Sequence, residues 1–205
     1  MRLLFDSVTA ADVPAGSELV GGYVDGRFKW TDADWALHAG KVQVRIATQA
    51  TTNDGNVLDV ETGDATPAEA PSWVRLRRAA GVDPSIYTDR NEWPDVRAAF
   101  VNANEPEPHY WIAQWDNDPA LLDGAVAKQY ANSGLTGSNY DASSVADFWP
   151  GVDTVDQFVT KAEFEAYKVA LQQQLDANYA AKQHPHTATA SSTTVTLLPP
   201  TVTVT

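Results

Sequence analysis

Residues 57–64 read Val57-Leu58-Asp59-Val60-Glu61-Thr62-Gly63-Asp64. The apolar, β-branched start predicts a strand over Val57–Glu61, and Gly63 predicts the turn that ends it. Side chains two apart on a strand share a face, so Asp59 and Glu61 are aimed together at the strand's C-terminal end. In a parallel barrel that end carries the chemistry. The fold therefore turns on whether enough other strands exist to close a barrel around this one.

Seven further runs have strand character: Leu3–Asp6, Leu19–Val24, Val42–Ala47, Ser85–Thr88, Tyr110–Trp115, Ala125–Tyr130 and Asn139–Ala142. Eight strands suffice for closure. Helix start signals fall between several of them: Thr31-Asp32-Ala33-Asp34 before Trp35, Thr66-Pro67-Ala68-Glu69 before Trp73, and Asp89–Trp93 before Val96 and Phe100. Strand and helix in alternation imply parallel pairing. The predicted fold class is α/β, a compact (β/α)8 TIM-like barrel over residues 1–150. Such barrels usually need about 250 residues, so some helices must shrink to turns. A smaller open α/β sheet is the structural competitor.

The pattern changes after Pro150. Residues 151–186 predict a helix and linker: Asp153 or Thr154 suits the N-cap, and Phe164, Tyr167, Leu171, Leu175 and Tyr179 fall near one face. That helix either packs on the barrel or associates with copies of itself. Residues 187–205 are Thr-rich and free of charged side chains, and Thr194–Leu197 and Val202–Val204 alternate with period two. That is a strand pattern, broken once by Pro199-Pro200. The expectation is an anchoring or oligomerisation tail that adds to a partner by strand pairing.

Composition excludes several classes. In 205 residues there are 27 acidic and 14 basic side chains, a formal net charge of −13. That balance argues against nucleic acid or an anionic membrane as partner. The chain has no cysteine, so disulfides, thiolate metal sites and thiol nucleophiles are ruled out. Asp6 interrupts the N-terminal apolar run, and no later run approaches the roughly 20 residues of a membrane span. A soluble protein without an export signal is expected.

Glycoside hydrolysis needs one carboxyl held protonated to donate to the leaving oxygen and a second group to stabilise or capture the cationic carbon. Asp59 and Glu61 suit those roles. Asp6 ends the first strand and Asp141 lies on the last, and closure makes those strands neighbours. Four carboxylates, Asp6, Asp59, Glu61 and Asp141, would converge on one mouth, where crowding raises at least one pKa. Alternatively, Asp6 and Asp141 merely cap loops. His184 and His186 are weak metal candidates, His38 and His109 read as surface or supporting groups, and no cofactor is expected.

Five short motifs in order, Asp59-Val60-Glu61, Ile86-Tyr87-Thr88, Trp111-Ile112-Ala113-Gln114, Lys128-Gln129-Tyr130 and Tyr140-Asp141, resemble the family 25 glycoside hydrolases, the Chalaropsis-type lysozymes. They equally resemble the related glycoside-hydrolase-like domains of actinobacteria and their phages. The resemblance covers roughly Leu3 to Trp149. It implies a barrel that cleaves between N-acetylmuramic acid and N-acetylglucosamine, with Glu61 as general acid, Asp59 as stabiliser or nucleophile, and Asp6 and Asp141 completing the acidic floor. Tyr23, Tyr87, Trp111, Trp115 and Tyr130 become candidates for sugar stacking. The chain departs from the family pattern at Asp6-Ser7-Val8-Thr9, in its lack of a Lys-Ala-Thr-Glu stretch, and at Ser143, where the family favours Asn. These departures bear on activity more than on fold.

The functional expectation is a phage-type protein displayed on a virion as capsid decoration, head fibre or tail component, its barrel binding or hydrolysing bacterial cell-wall glycan. The alternatives are a free soluble muramidase of the endolysin kind and a catalytically inert structural module. Expected partners are cell-wall glycan and, through helix and tail, further copies or other virion proteins. The expected location is the virion, or the host cytoplasm during assembly.

Overall fold

The computed structural model describes residues 1–154, together with residues 168–169 and 172–173, which are helical. The chain divides into two compact units, Met1–Phe158 and Val159–Thr205. The helix expected between 151 and 186 falls almost wholly outside the described residues, and the tail 187–205 entirely so.

The first unit is an α/β protein built on a closed eight-stranded barrel: β1 (Arg2–Asp6), β2 (Leu19–Tyr23), β3 (Val42–Ala47), β4 (Val57–Asp59), β5 (Ser85–Asp89), β6 (His109–Ala113), β7 (Ala127–Ala131) and β8 (Asp141–Val145), paired in chain order. β1 through β7 are parallel. β8 runs antiparallel to both β7 and β1, so the sheet is mixed and not the fully parallel one expected. The cause is the short connection over residues 132–140. A parallel crossover needs a dozen or more residues, and this one holds a single helical turn, α4 (Ser133–Thr136).

The described helices are few. α1 (Asp32–Ala36) starts at Thr31, whose hydroxyl accepts from the Asp34 N–H while Asp34 takes the Thr31 N–H in return. α2 (Ala70–Ala79) follows a turn in which the Glu69 carboxylate accepts from both the N–H and the hydroxyl of Thr66. α3 (Trp93–Asn102) follows a turn in which Asp89 accepts from the N–H groups of Asn91 and Glu92. Elsewhere the connections are turns, plus one 3-10 turn at Ala10–Asp12. Among the described residues no helix is long and apolar enough to cross a membrane.

Alternation along the strands creates two apolar layers. Leu58, Val60, Ile86, Tyr110 and Ile112 face outward against Trp73, Val74, Trp93, Val96 and Phe100. Leu4, Leu19, Val44, Ile46, Val57, Tyr87, Trp111, Ala127 and Val145 fill the interior. His38 belongs to the outer layer and is buried, not at the surface. Its Nε2 lies 2.9 Å from the Ala10 carbonyl and its ring stacks on Trp30.

The segment after β8 seals the N-terminal end of the barrel. Trp149 is fully buried, packs edge-on against Trp111 and donates its indole N–H to Ser85 Oγ at 2.8 Å. Asp153 takes the Trp149 N–H and a two-pronged ion pair from Arg2, at 2.9 and 2.6 Å. Gly151 has φ +77°, and a Cβ there would overlap the Asp83 carbonyl oxygen. Gly151→Ala should therefore lower stability by about 1–3 kcal/mol from backbone strain alone, and by more from the overlap. Thermal unfolding checks this; a variant melting with wild type would mean the seal does not hold the barrel end.

Candidate active site

β1 ends in Asp6 and β8 begins with Asp141, and the two are direct partners in the antiparallel register. Reversal of β8 puts its first residue at the rim where the parallel strands end, so Asp141 meets Asp6 there. On the opposite arc β4 delivers Asp59, and Glu61 follows it as the chain turns toward Gly63. Both share the inward parity of Val57. Asp6 is seated over Gly21 on β2, where a Cβ would come to 2.6 Å of the Asp6 Cβ.

Between the two pairs of acids lies a hydrogen-bonded bridge. Gln129 is buried on β7 and its Oε1 accepts from the Tyr87 hydroxyl at 2.9 Å and from the Trp115 indole N–H at 2.7 Å. Two donors on that oxygen orient the amide. Its Nε2 then faces both carboxyl oxygens of Asp6 at 3.4 Å. Below this layer Trp111 donates to Ser143 Oγ at 3.0 Å and stacks edge-on under Tyr87. Asp141 is tied by the Ser133 N–H at 2.5 Å. Asp59 differs from these groups: only 5% exposed, it has an Oδ1 with no hydrogen-bond partner.

Burial raises the pKa of all four acids, and neighbouring carboxyls add to it at Asp6, Asp59 and Glu61. Burial, reinforced by Asp141, raises Asp6 to about 8. Burial, then Asp89 and Asp64, raises Glu61 to about 7. Asp59 is pushed well up by burial and then by Glu61. Asp141 is raised by burial and eased back by the Ser133 N–H. Tyr23 and Tyr87 stay neutral phenols, since burial and the nearby acids both oppose ionisation.

Among the clefts that open at the rim, two are lined by the acids singled out above. One, of about 390 Å³, is lined by Asp6, Tyr23 and Asp141 with the turn after β1. The other, of about 490 Å³, is lined by Glu61, Asp89, Arg90, Asn91, Gln114 and Trp115. Of the residues singled out in the sequence, Asp6, Tyr23 and Asp141 thus line one cleft and Glu61 and Trp115 another, while Asp59 and Tyr87 are buried beneath the rim and line neither. Trp111 is a floor residue with 1% exposure, with no face left for a sugar. Tyr130 sits at the step where β7 slips against β8, and its ring joins neither apolar layer. Gln129 stood in the sequence only as part of the Lys128-Gln129-Tyr130 motif, with no role assigned to it; the signal for one was a polar residue at an inward position between Ala127 and Ala131. Among the described residues no group of three or more His, Asp or Glu side chains is spaced for a metal ion. His184 and His186 lie outside the described residues, and His109 pairs with Asp83 at the barrel's other end.

A raised carboxyl pKa stabilises the fold below the unfolded-state value and loses that contribution as pH rises through the folded value. For Asp6 the window runs from 3.8 to about 8. Asp6→Asn removes the titration, so the melting temperature of the variant minus that of wild type should climb from pH 5 to pH 8.5. Each kcal/mol is worth about 2–4 °C at this chain length. An equal difference at both pH values would show that Asp6 ionises freely in the folded mouth.

No protein-family model matches the chain, and no curated protein matches it. Among solved structures it is similar to the Mycobacterium tuberculosis Tat-secreted protein Rv2525c, crystallised in complex with HEPES. The identity is 14%, covering 73% of this chain and 98% of that one, with a TM-score of 0.41. At that score the likeness bears on neither fold nor function.

Proposed function

We propose that the barrel is a lysozyme-like glycoside hydrolase, a shortened relative of the (β/α)8 barrels, acting on the bacterial cell-wall glycan of N-acetylmuramic acid and N-acetylglucosamine. One observation carries the reading: Glu61, held protonated near neutrality beside an open cleft, stands two residues from a buried Asp59 whose Oδ1 lacks a partner.

Glu61 donates its proton to the glycosidic oxygen as the bond from that oxygen to the anomeric carbon breaks, so the leaving sugar departs as an alcohol. Positive charge then grows on the anomeric carbon. A cation beside Asp59 lowers the pKa of this carboxyl, which releases its proton to solvent, faces the cation as a carboxylate, and takes a proton back from solvent once the cation has been consumed. Low dielectric strengthens that attraction. Water completes the hydrolysis by adding to the anomeric carbon, with the Glu61 carboxylate taking its proton. Asp6 and Asp141 tune the field from the opposite arc.

One feature favours a second reading, a wall-binding module that does not cut. Two of the four acids already have protein partners, Asp6 on Gln129 and Asp141 on Ser133. Clearing of cell-wall suspensions by wild type against Glu61→Gln separates the two. Hydrolysis predicts a rate about 10²–10⁴-fold lower in the variant and, in wild type, a rate that falls as pH rises through about 7 as Glu61 loses its proton. Equal inertness, with both proteins sedimenting with the walls, would leave binding alone.

The same reading puts the barrel on a phage particle, attached through the helix and the charge-free Thr-rich residues 187–205. Deleting 187–205 should leave the barrel's thermal unfolding unchanged and abolish incorporation into particles. Normal incorporation of the truncated chain would end the anchoring idea.

A further inference from the structure

Lys128 and Gln129 are neighbours on β7 and point to opposite faces of the barrel wall, yet both grip the same turn, residues 114–118. From the outer face Lys128, 1% exposed, brings Nζ within 2.9 Å of both Asp116 carboxylate oxygens and donates to the Asp118 carbonyl at 2.8 Å. From the inner face Gln129 accepts the Trp115 indole N–H. Main-chain bonds from the Gln114 N–H to the Gln129 carbonyl and from the Asn117 N–H to the Tyr130 carbonyl, each 3.0 Å, complete the fastening. Asn117, at φ +57°, closes the turn in the left-handed region.

A lysine this deeply buried requires a paired charge. Asp116 supplies it, and its carboxyl is held down at about 2, chiefly by the Lys128 hydrogen bond. Gln129 cannot swing away without giving up Tyr87 and Asp6 as well. Surface turns are ordinarily the mobile parts of a fold. This one is fixed from both sides, while the indole it carries remains 50% exposed on the cleft that holds Glu61.

We propose that Lys128 and Gln129 are positioning residues that preset Trp115 as the stacking wall of a sugar subsite beside Glu61, with Arg90 and Asn91 as hydrogen-bond donors lining the same cleft. The subsite rests on the glycan reading above. An indole face takes the C–H face of a pyranose ring, and fixing it beforehand removes the ordering cost from binding. The exposed edge of the ring is therefore a built surface, not leftover apolar area.

The test uses the full chain and the tetrasaccharide of two N-acetylglucosamine–N-acetylmuramic acid repeats. The indole N–H resonance that vanishes in Trp115→Phe reports the turn, and titration of the tetrasaccharide reports the subsite. Lys128→Met should speed hydrogen exchange of that indole N–H and weaken binding about tenfold, approaching Trp115→Ala. Asp116→Asn, altered from the solvent side, should move both readouts in the same direction and guards against a Lys128 variant that does not fold. Wild-type binding that survives Trp115→Ala overturns the subsite while sparing the glycan reading. Unchanged indole exchange in folded Lys128→Met overturns the clamp. A wild type that binds no tetrasaccharide overturns the glycan reading and the subsite with it.

Discussion

Closure of the barrel by a strand that runs against both its neighbours fixes what stands at each end. β8 enters at the rim where β1 to β7 finish, so its first residue, Asp141, faces Asp6. It leaves at the other end, and the next residues tuck Trp149 under Trp111 and hand Asp153 to Arg2. A parallel eighth strand would reverse both outcomes. Asp141 would lie among the floor residues, and the sealing segment would emerge at the mouth. The acid-lined opening and the sealed base are two consequences of one strand direction.

That arrangement sets polarity along the barrel axis. Leu4, Leu19, Val44 and Trp111 pack the middle, and above them Tyr87, Gln129, Asp59 and Asp6 form a polar layer that has lost most of its water. Burying four ionised carboxyls together is prohibitive, and buried acids respond by staying protonated. The mouth accepts that cost because Gln129 gives Asp6 a partner and Ser133 gives Asp141 one. Asp59 keeps an oxygen without a partner. Buried atoms elsewhere, such as Trp30 Nε1, Trp93 Nε1 and Ser144 Oγ, also lack partners, but Asp59 is the carboxyl among them, and a polar atom unsatisfied in the free protein is one that an incoming group can satisfy.

Much of the barrel was legible because its strands alternate cleanly and Thr31, Thr66 and Asp89 announce their helices or turns. The direction of β8 was not legible, since alternation is the same whichever way a strand runs. It was readable only through the length of the 132–140 connection. The expected closing strand, Asn139–Ala142, also begins too early: Tyr140 spends its carbonyl on the Thr136 hydroxyl of the preceding turn, and pairing runs from Asp141 to Val145. Of the site, Asp59 and Glu61 were visible from spacing alone, because residues two apart on one strand need no tertiary information. The role of Gln129, quoted only within a motif, was hidden, because it depends on Tyr87, Trp115 and Asp6 arriving from three other parts of the chain. Trp115 read as the last residue of a strand and instead stands beyond Ala113 in a turn, which is why it is half exposed and Trp111 is not.

The net charge takes a different meaning once the acids are located. A formal −13 counts every carboxyl as ionised. Asp6, Asp59 and Glu61 stay protonated into the neutral range, so the mouth is less negative than its composition suggests. Beside it, Asp116 is neutralised by Lys128, and at the barrel's other end Glu105 and Glu107 pair with Arg75, Arg78 and Arg97. A cell-wall glycan carries carboxylates of its own, and an opening ringed by four full charges would repel it. In the proposed reaction, an opening whose acids remain neutral until a cation forms beside them presents hydrogen-bond donors first and negative charge later. That sequence follows from burial, and burial follows from the way β8 closes the barrel.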